Sequence, residues 1–199
     1  MNAKFFDLKQ EKQDRMINAA LKIFAVNGYQ HASTDDIVKE AGISKGLLFH
    51  YFDSKIGVYS FIYDYSTRYM SLELSSAIDP AETRYMEIRR QMEAAKLQAL
   101  KTYPYMQMFL DSTVHETITE AALAIEASRL SYENALGTIL AKADQAPIKA
   151  AKNSEELLKM LDYTLSGIMT DSLKDNSFNA EMNYKESIKY LNLVEKAMK

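Results

Sequence analysis

Thr34 to Phe52, TDDIVKEAGISKGLLFHYF, reads as a short helix, a tight turn at Gly42 and a second short helix. Ile37, Val38 and Ala41 give the first helix an apolar side, and Ile43, Leu47, Leu48 and Phe52 give the turn and second helix the matching one. The second helix is left to expose Ser44, Lys45, Gly46, Phe49, His50 and Tyr51. A small exposed helix bearing donors, rings and one cation is shaped to enter the major groove of DNA.

Helical signals continue outward from this stretch. Before it, Ile17, Ala20, Leu21 and Phe24 recur at helical spacing, predicting a first helix over about 8–27 closed by Gly28. Ser33 with Asp36 fits a capping box, with Thr34 as the alternative cap. After it, Asp53 or Ser54 starts a long aromatic-rich fourth helix. Asp79-Pro80-Ala81-Glu82 reads as the start of a fifth, ending before Pro104, and PYMQMFLDS as a short sixth. A Thr113–Glu116 capping box opens a seventh that stops before Pro147. An eighth opens at Asn153 or Ser154, and a ninth spans about 181–198. Apolar/polar alternation and hairpin turns are missing, so the expected class is all-α with about nine helices.

Composition narrows the function classes. The 199 residues are 47% hydrophobic and 26% charged, an ordinary balance for a chain with a real core. No apolar run approaches bilayer length, and MNAKFFDLKQEKQDR has no signal core. Zero cysteines exclude disulfides and thiolate metal sites and fit a reducing cytoplasm. Nucleotide-binding loops, nucleophile elbows, H-E-x-x-H and a cysteine nucleophile are all lacking, so no enzyme and no cofactor is expected. His115 follows Asp111 by four residues, but no third ligand accompanies them, so no metal site is expected. Net charge is −3. Residues 1–60 hold eight basic and seven acidic side chains, +1 against −4 for the remainder, so any DNA contact rests on a few placed donors.

The chain resembles the TetR family of transcriptional regulators. The residues that carry the resemblance are Ala20, Phe24, Gly28, Thr34, Ile37, Ala41-Gly42-Ile43-Ser44, Gly46, Leu48, Tyr51-Phe52 and Ser54-Lys55, in the first quarter to third of the sequence. Two features depart from the pattern: Phe49 is a ring without a hydroxyl, and His50-Tyr51 stands where an aromatic-then-histidine order is more usual. The resemblance implies a three-helix DNA-binding domain over 1–53 and a ligand-binding and dimerisation domain over 54–199. It implies a homodimer on double-stranded operator DNA, a repressor released from a palindrome by a small hydrophobic or aromatic ligand. The alternative is a DNA-binding or protein-interaction module of the same fold without ligand control.

On this reading Lys45 reads a guanine edge, Phe49 packs on a thymine methyl, and Gly46 lets the backbone approach the bases. Thr34, Ser44, His50, Tyr51 and Lys55 complete the DNA face, with Thr34 and Lys55 on phosphates. Helices four to seven are expected to enclose a pocket walled by some of Tyr63, Tyr69, Met70, Tyr85, Met86, Met92, Met106, Phe109 and His115. Arg84, Arg89 and Arg90 are placed on the solvated side. Leu161, Leu165, Ile168, Ile188, Leu191 and Met198 are expected to form the dimer interface.

Overall fold

A computed structural model describes residues 3–175 and 177–198. Among them the protein is helical, with a 3-10 turn over Ala3–Asp7 and ten α-helices. These are α1 (Gln10–His31), α2 (Thr34–Ala41), α3 (Lys45–Phe52), α4 (Lys55–Ala77) and α5 (Tyr85–Thr102). Then follow α6 (Met106–Thr113), α7 (Thr119–Ala141), α8 (Ala146–Ala150), α9 (Ser154–Lys174) and α10 (Ala180–Ala197). The all-α class stands; the helix beyond the expected nine is the short α8.

Three boundaries differ from expectation, each for a physical reason. Gly28 does break the first helix, at φ +65°, but a further turn carries on to His31. Pro80 does not open α5. The Asp79 carboxylate accepts the Ala81 N–H (2.9 Å), Glu82 accepts those of Thr83 and Arg84 (3.0 and 2.7 Å), and the Thr83 carbonyl accepts from Asp144 N–H (2.7 Å). Side chains thus satisfy the backbone in a non-helical turn, and α5 waits until Tyr85. The Thr113 hydroxyl bonds back to the Leu110 carbonyl (2.7 Å) instead of capping forward, and α7 starts at Thr119. As expected, α7 stops before Pro147, which lies in the first turn of the short α8, and α9 opens at Ser154, preceded by Asn153 in a left-handed conformation without a side-chain cap.

The chain packs as two compact units, Met1–Tyr69 with Thr102–Tyr132, and Met70–Lys101 with Glu133–Lys199. The expected boundary at 53/54 does not coincide with this packing. Three short helices bury too little alone, so the first unit draws α6 and parts of α4 and α7 into its core. Met16, Ile17, Leu21 and Phe24 of α1, Ile37 of α2, Leu48 and Phe52 of α3, Val58, Tyr59 and Ile62 of α4 and Phe109 of α6 are all buried. Tyr59 stands at the centre of a ring cluster, 5.0 Å from Phe24, 5.0 Å from Tyr29 and 5.6 Å from Phe109. Phe5, from the N-terminal turn, closes a second cluster with Phe52 (5.3 Å) and Phe61 (5.0 Å). Gln13 holds that turn by donating to the Phe6 and Leu8 carbonyls.

A polar chain crosses the same unit. The Tyr103 hydroxyl donates to Asp14 (2.6 Å) and lies 2.7 Å from the Tyr65 hydroxyl, while Asn18 donates to the Thr102 carbonyl (3.1 Å). The second unit centres on Met86, Leu161, Leu165 and Leu191, with Leu158, Ile188 and Val194 packed against them.

Burial, then the bond to Asp14, pushes the Tyr103 phenol above its ordinary value of 10.0. The folded state therefore holds the proton that the unfolded chain releases. The stabilisation is intact below the ordinary tyrosine range and is lost as pH rises through it. Tyr103→Phe should cost about 1.5–3 kcal/mol in urea unfolding at neutral pH, since it removes one of the two donors to the Asp14 carboxylate, the other being Gln10 (2.9 Å), and the partner of the Tyr65 hydroxyl. A loss under about 0.5 kcal/mol would show that the chain of hydroxyls carries no weight.

Candidate nucleic-acid interface and cavity

Ser33 caps α2, its hydroxyl oxygen accepting the Asp35 N–H (3.1 Å). Asp35, not the Asp36 of the expected capping box, is thus the residue bound. Gly42 closes α2 at φ +63°, and its N–H bonds to the Lys39 carbonyl (3.3 Å) while Ile43 N–H returns to Val38 (3.0 Å). That left-handed turn sets the angle to α3, which Ser44 caps by accepting the Leu47 N–H (3.2 Å). The Ser44 hydroxyl hydrogen is left to donate outward. Leu48 and Phe52 face the core.

Ser44, Lys45, Gly46 and His50 are exposed along α3; Leu47, Phe49 and Tyr51 are half-buried, as is Thr34 at the start of α2. Tyr51 leans on Phe5 (5.8 Å), so the N-terminal turn braces the recognition helix from behind. Lys45 is held by Asp35 across the turn at 2.8 Å, with both side chains more than half exposed. Nothing lies within 4 Å of where a Cβ on Gly46 would sit.

Lys55 takes a different position from the expected phosphate contact. Its Nζ lies 4.5 Å from the centre of the Tyr29 ring and donates to the Gln30 carbonyl (3.3 Å). Burial lowers its pKa, partly offset by Glu116 and Glu120. The same two carboxylates accept from Tyr59 (3.1 Å, Glu116) and Tyr29 (3.4 Å, Glu120). Burial first, and then Glu116, hold the Tyr59 phenol well above the usual tyrosine range.

The residues expected to share one pocket are dispersed. Tyr63, Met106 and Phe109 are packed into the first unit's core, where Phe109 meets Tyr63 at 6.2 Å. Tyr69 stacks beside Tyr65 (6.0 Å) and His115 is exposed. In the second unit Met70 is buried and Met92 half-buried. Tyr85 and Met86 do line a cavity there of about 250 Å³, closed also by Ile148 of α8 and Met198. Of the arginines placed in solvent, only Arg84 is exposed. Arg89 is buried and pairs with Asp162 (2.5 Å); burial alone would lower its pKa, and Asp162 and Tyr85 raise it.

Expected dimer residues are likewise redistributed. Leu161, Leu165 and Leu191 are committed to the second unit's own core, Ile188 packs on it, and Ile168 and Met198 are half-buried. On the other sides of α9 and α10, Met160, Tyr163, Met182 and Leu193 are more than half exposed.

Phe5, Asp35 and Gly57 have structural roles that the sequence reading did not assign. Phe5 is adjacent to Phe6 ahead of a polar run, a pair that signals a buried anchor. A Cβ on Gly57 would overlap the Phe52 carbonyl, so α4 leaves α3 through a joint that only glycine fits.

A capped helix, a left-handed glycine and a second capped helix with an exposed face define a helix-turn-helix domain. Residues 16–59 match the model for bacterial regulatory proteins of the tetR family. The chain is 28% identical over 117 residues to the HTH-type transcriptional regulator SrpR of Pseudomonas putida, covering 57% of this chain and 51% of that protein. It is 30% identical over 131 residues to the uncharacterised HTH-type regulator YuxN of Bacillus subtilis, covering 62% of this chain and 43% of that one. The chain thus spans about half the length of these curated relatives. Across most of its length it shares the fold of the transcriptional regulator FadR of Bacillus subtilis, solved in complex with stearoyl-CoA. The TM-score is 0.61 at 16% identity, over 93% of this chain and 98% of that one. FadR of Bacillus halodurans superposes with a TM-score of 0.60 at 21% identity, over 89% and 96%. Residues 16–59 are thus similar to the DNA-binding region of the tetR family, and most of the chain shares the fold of these regulators.

Gly57→Ala should lower stability by about 1–3 kcal/mol, because the clash is with backbone rather than a movable side chain. Gly46→Ala, in open space within a helix, should be neutral or stabilising by up to about 1 kcal/mol. Thermal unfolding of both variants checks the contrast, and equal effects would contradict the joint.

Proposed function

We propose that the protein is a cytoplasmic transcriptional repressor that binds a palindromic operator as a homodimer and releases it when a small apolar ligand binds. The observation that carries this reading is the exposed Ser44-Lys45-Gly46 edge of α3, raised on a capped and glycine-jointed scaffold. Gly46 admits the backbone to the base edges, and Lys45 supplies the cation for guanine O6 and N7 once it leaves Asp35. Phe49 and His50 extend the same face. Thr34, Ser44 and Tyr51 stand as phosphate donors, and Lys55 joins them only by giving up Tyr29.

One such helix reads few base pairs, so two copies about one helical turn apart are required. The exposed Met160, Tyr163, Met182 and Leu193 support an interface built from the outer faces of α9 and α10. By helical phase, Met160, Tyr163 and Gly167 lie opposite Leu161, Leu165 and Met169. Control without ligand remains the alternative, and the solid packing of Tyr63, Met106 and Phe109 favours it over a pocket at that place. The stearoyl-CoA of the Bacillus subtilis neighbour finds little support here, because Arg84, Arg89 and Arg90 are all engaged by carboxylates. No helix among the described residues is long and apolar enough to cross a membrane.

Three variants test the DNA face in fluorescence anisotropy with the selected operator. Lys45→Ala should weaken binding by about 1–3 kcal/mol and relax one base position, although its exposed ion pair is worth under about 1 kcal/mol to folding. Gly46→Ala should weaken binding while leaving the fold intact. Asp35→Asn should strengthen it, by freeing Lys45 and removing a negative charge. Unchanged affinity in all three would remove α3 from the DNA face.

Tyr163→Asp should shift the protein toward monomer in sedimentation without lowering its thermal midpoint. A wild-type monomer at micromolar concentration would refute the dimer.

A further inference from the structure

The cavity of the second unit is lined by three carboxylates, Glu87, Asp144 and Glu195, and two guanidiniums, Arg84 and Arg90. Both guanidiniums are already occupied. Arg84 is gripped by both oxygens of Glu82, at 3.0 and 2.7 Å. Arg90 pairs with Glu87 (3.1 Å) and with Glu195, and donates to Asn192. Asp144 accepts the Ala146 N–H (2.9 Å), and among the described residues no basic side chain pairs with it. An anion entering here meets a net negative lining with no cation to spare. An entering cation meets the exposed carboxylate of Asp144 at the rim, with Glu195, itself paired with Arg90, beside it.

The rest of the wall suits the other end of such a molecule. Met86 and Ile148 are buried, Met198 is half-buried, and the Tyr85 ring can face an ammonium. At about 250 Å³ the space exceeds the roughly 150 Å³ that holds a benzene ring, leaving room for a short chain.

We propose that this cavity binds a small organic monocation, an amine or quaternary ammonium carrying one ring or a short alkyl body. The charged head sits at Asp144 and Glu195, and the body lies on Met86, Ile148 and Met198. The residues that line the site all belong to the second unit. The proposal rests on the ligand-controlled reading only for its consequence on DNA, since binding itself needs no operator.

Three matched probes test it by calorimetry on the full chain without DNA: phenethylamine, 2-phenylethanol and 3-phenylpropionate. The cation should bind about tenfold tighter than the alcohol, and the anion should not bind. Asp144→Asn keeps the acceptor for Ala146, so the fold should hold while phenethylamine affinity falls about fivefold to tenfold and that of the alcohol stays unchanged. Ile148→Trp should abolish both, and Met198→Trp, near the end of the described chain, repeats that test should Ile148→Trp unfold. Equal affinity for cation and alcohol, preference for the anion, or binding of none of the three overturns the proposal. Cation binding that survives Asp144→Asn at full strength overturns the placement. None of these results bears on operator binding, so a failure here is distinguishable from a failure of the DNA-binding reading.

Discussion

An eight-residue recognition helix cannot hold its own orientation, and the first unit is built around that constraint. α3 contributes only Leu48 and Phe52 as fully buried side chains. Isolated helices of this length are unstable in water, so neighbours must fix it. They do so from three sides: the Gly42 turn from α2, the Gly57 joint from α4, and the Phe5 ring from the N-terminal turn. Phe52 is shared among these, with ring centres 5.3 Å from Phe5 and 4.8 Å from Phe61. Ring pairs of this kind add about 0.5–1.5 kcal/mol each beyond the area they bury.

The second feature of the unit is that three of its tyrosine hydroxyls end on carboxylates. Tyr103 ends on Asp14, Tyr59 on Glu116 and Tyr29 on Glu120. A phenol inside a core is costly unless its hydroxyl is satisfied, and a charged acceptor satisfies it more strongly than a neutral one. Glu116 and Glu120 flank the start of α7, yet their partners belong to α1 and α4. Any displacement of that segment would be felt at Tyr29 and Tyr59, and through Tyr29 at Lys55. This gives the start of α7 a physical connection, within one packed unit, to α4, the helix that follows α3 in the chain.

Lys45 rests in an ion pair with Asp35 across the turn. Its pairing with Asp35 is exposed and screened by water and salt, so it costs little to break. It nonetheless holds the one lysine of α3 at the exposed N-terminal edge of that helix. The cavity in the second unit follows a related logic in reverse. Its arginines are so fully paired that the lining attracts positive rather than negative charge.

The helix-turn-helix was legible in the sequence because its signals are local: caps at Ser33 and Ser44, glycine at a left-handed position, and apolar residues at helical spacing. The same holds for the all-α class and for the exposed polar edge of α3. Sequence did not reveal which apolar faces meet one another. Leu161, Leu165 and Leu191 have the right periodicity for an interface, but periodicity shows only that a face is apolar, and Met86 of α5 claims it within the chain. Tyr63, Met106 and Phe109 suit a pocket or a core equally by composition, and packing assigned them to the core. Thr113 and Pro80 carried good local helix-start signals that lost to competing bonds: the Thr113 hydroxyl to the Leu110 carbonyl, and Asp79, Glu82 and Asp144 in the turn before α5. Local chemistry sets what a segment can form. The partners available once the chain has folded decide which of those options is taken, because burial and hydrogen bonding are satisfied between segments far apart in sequence.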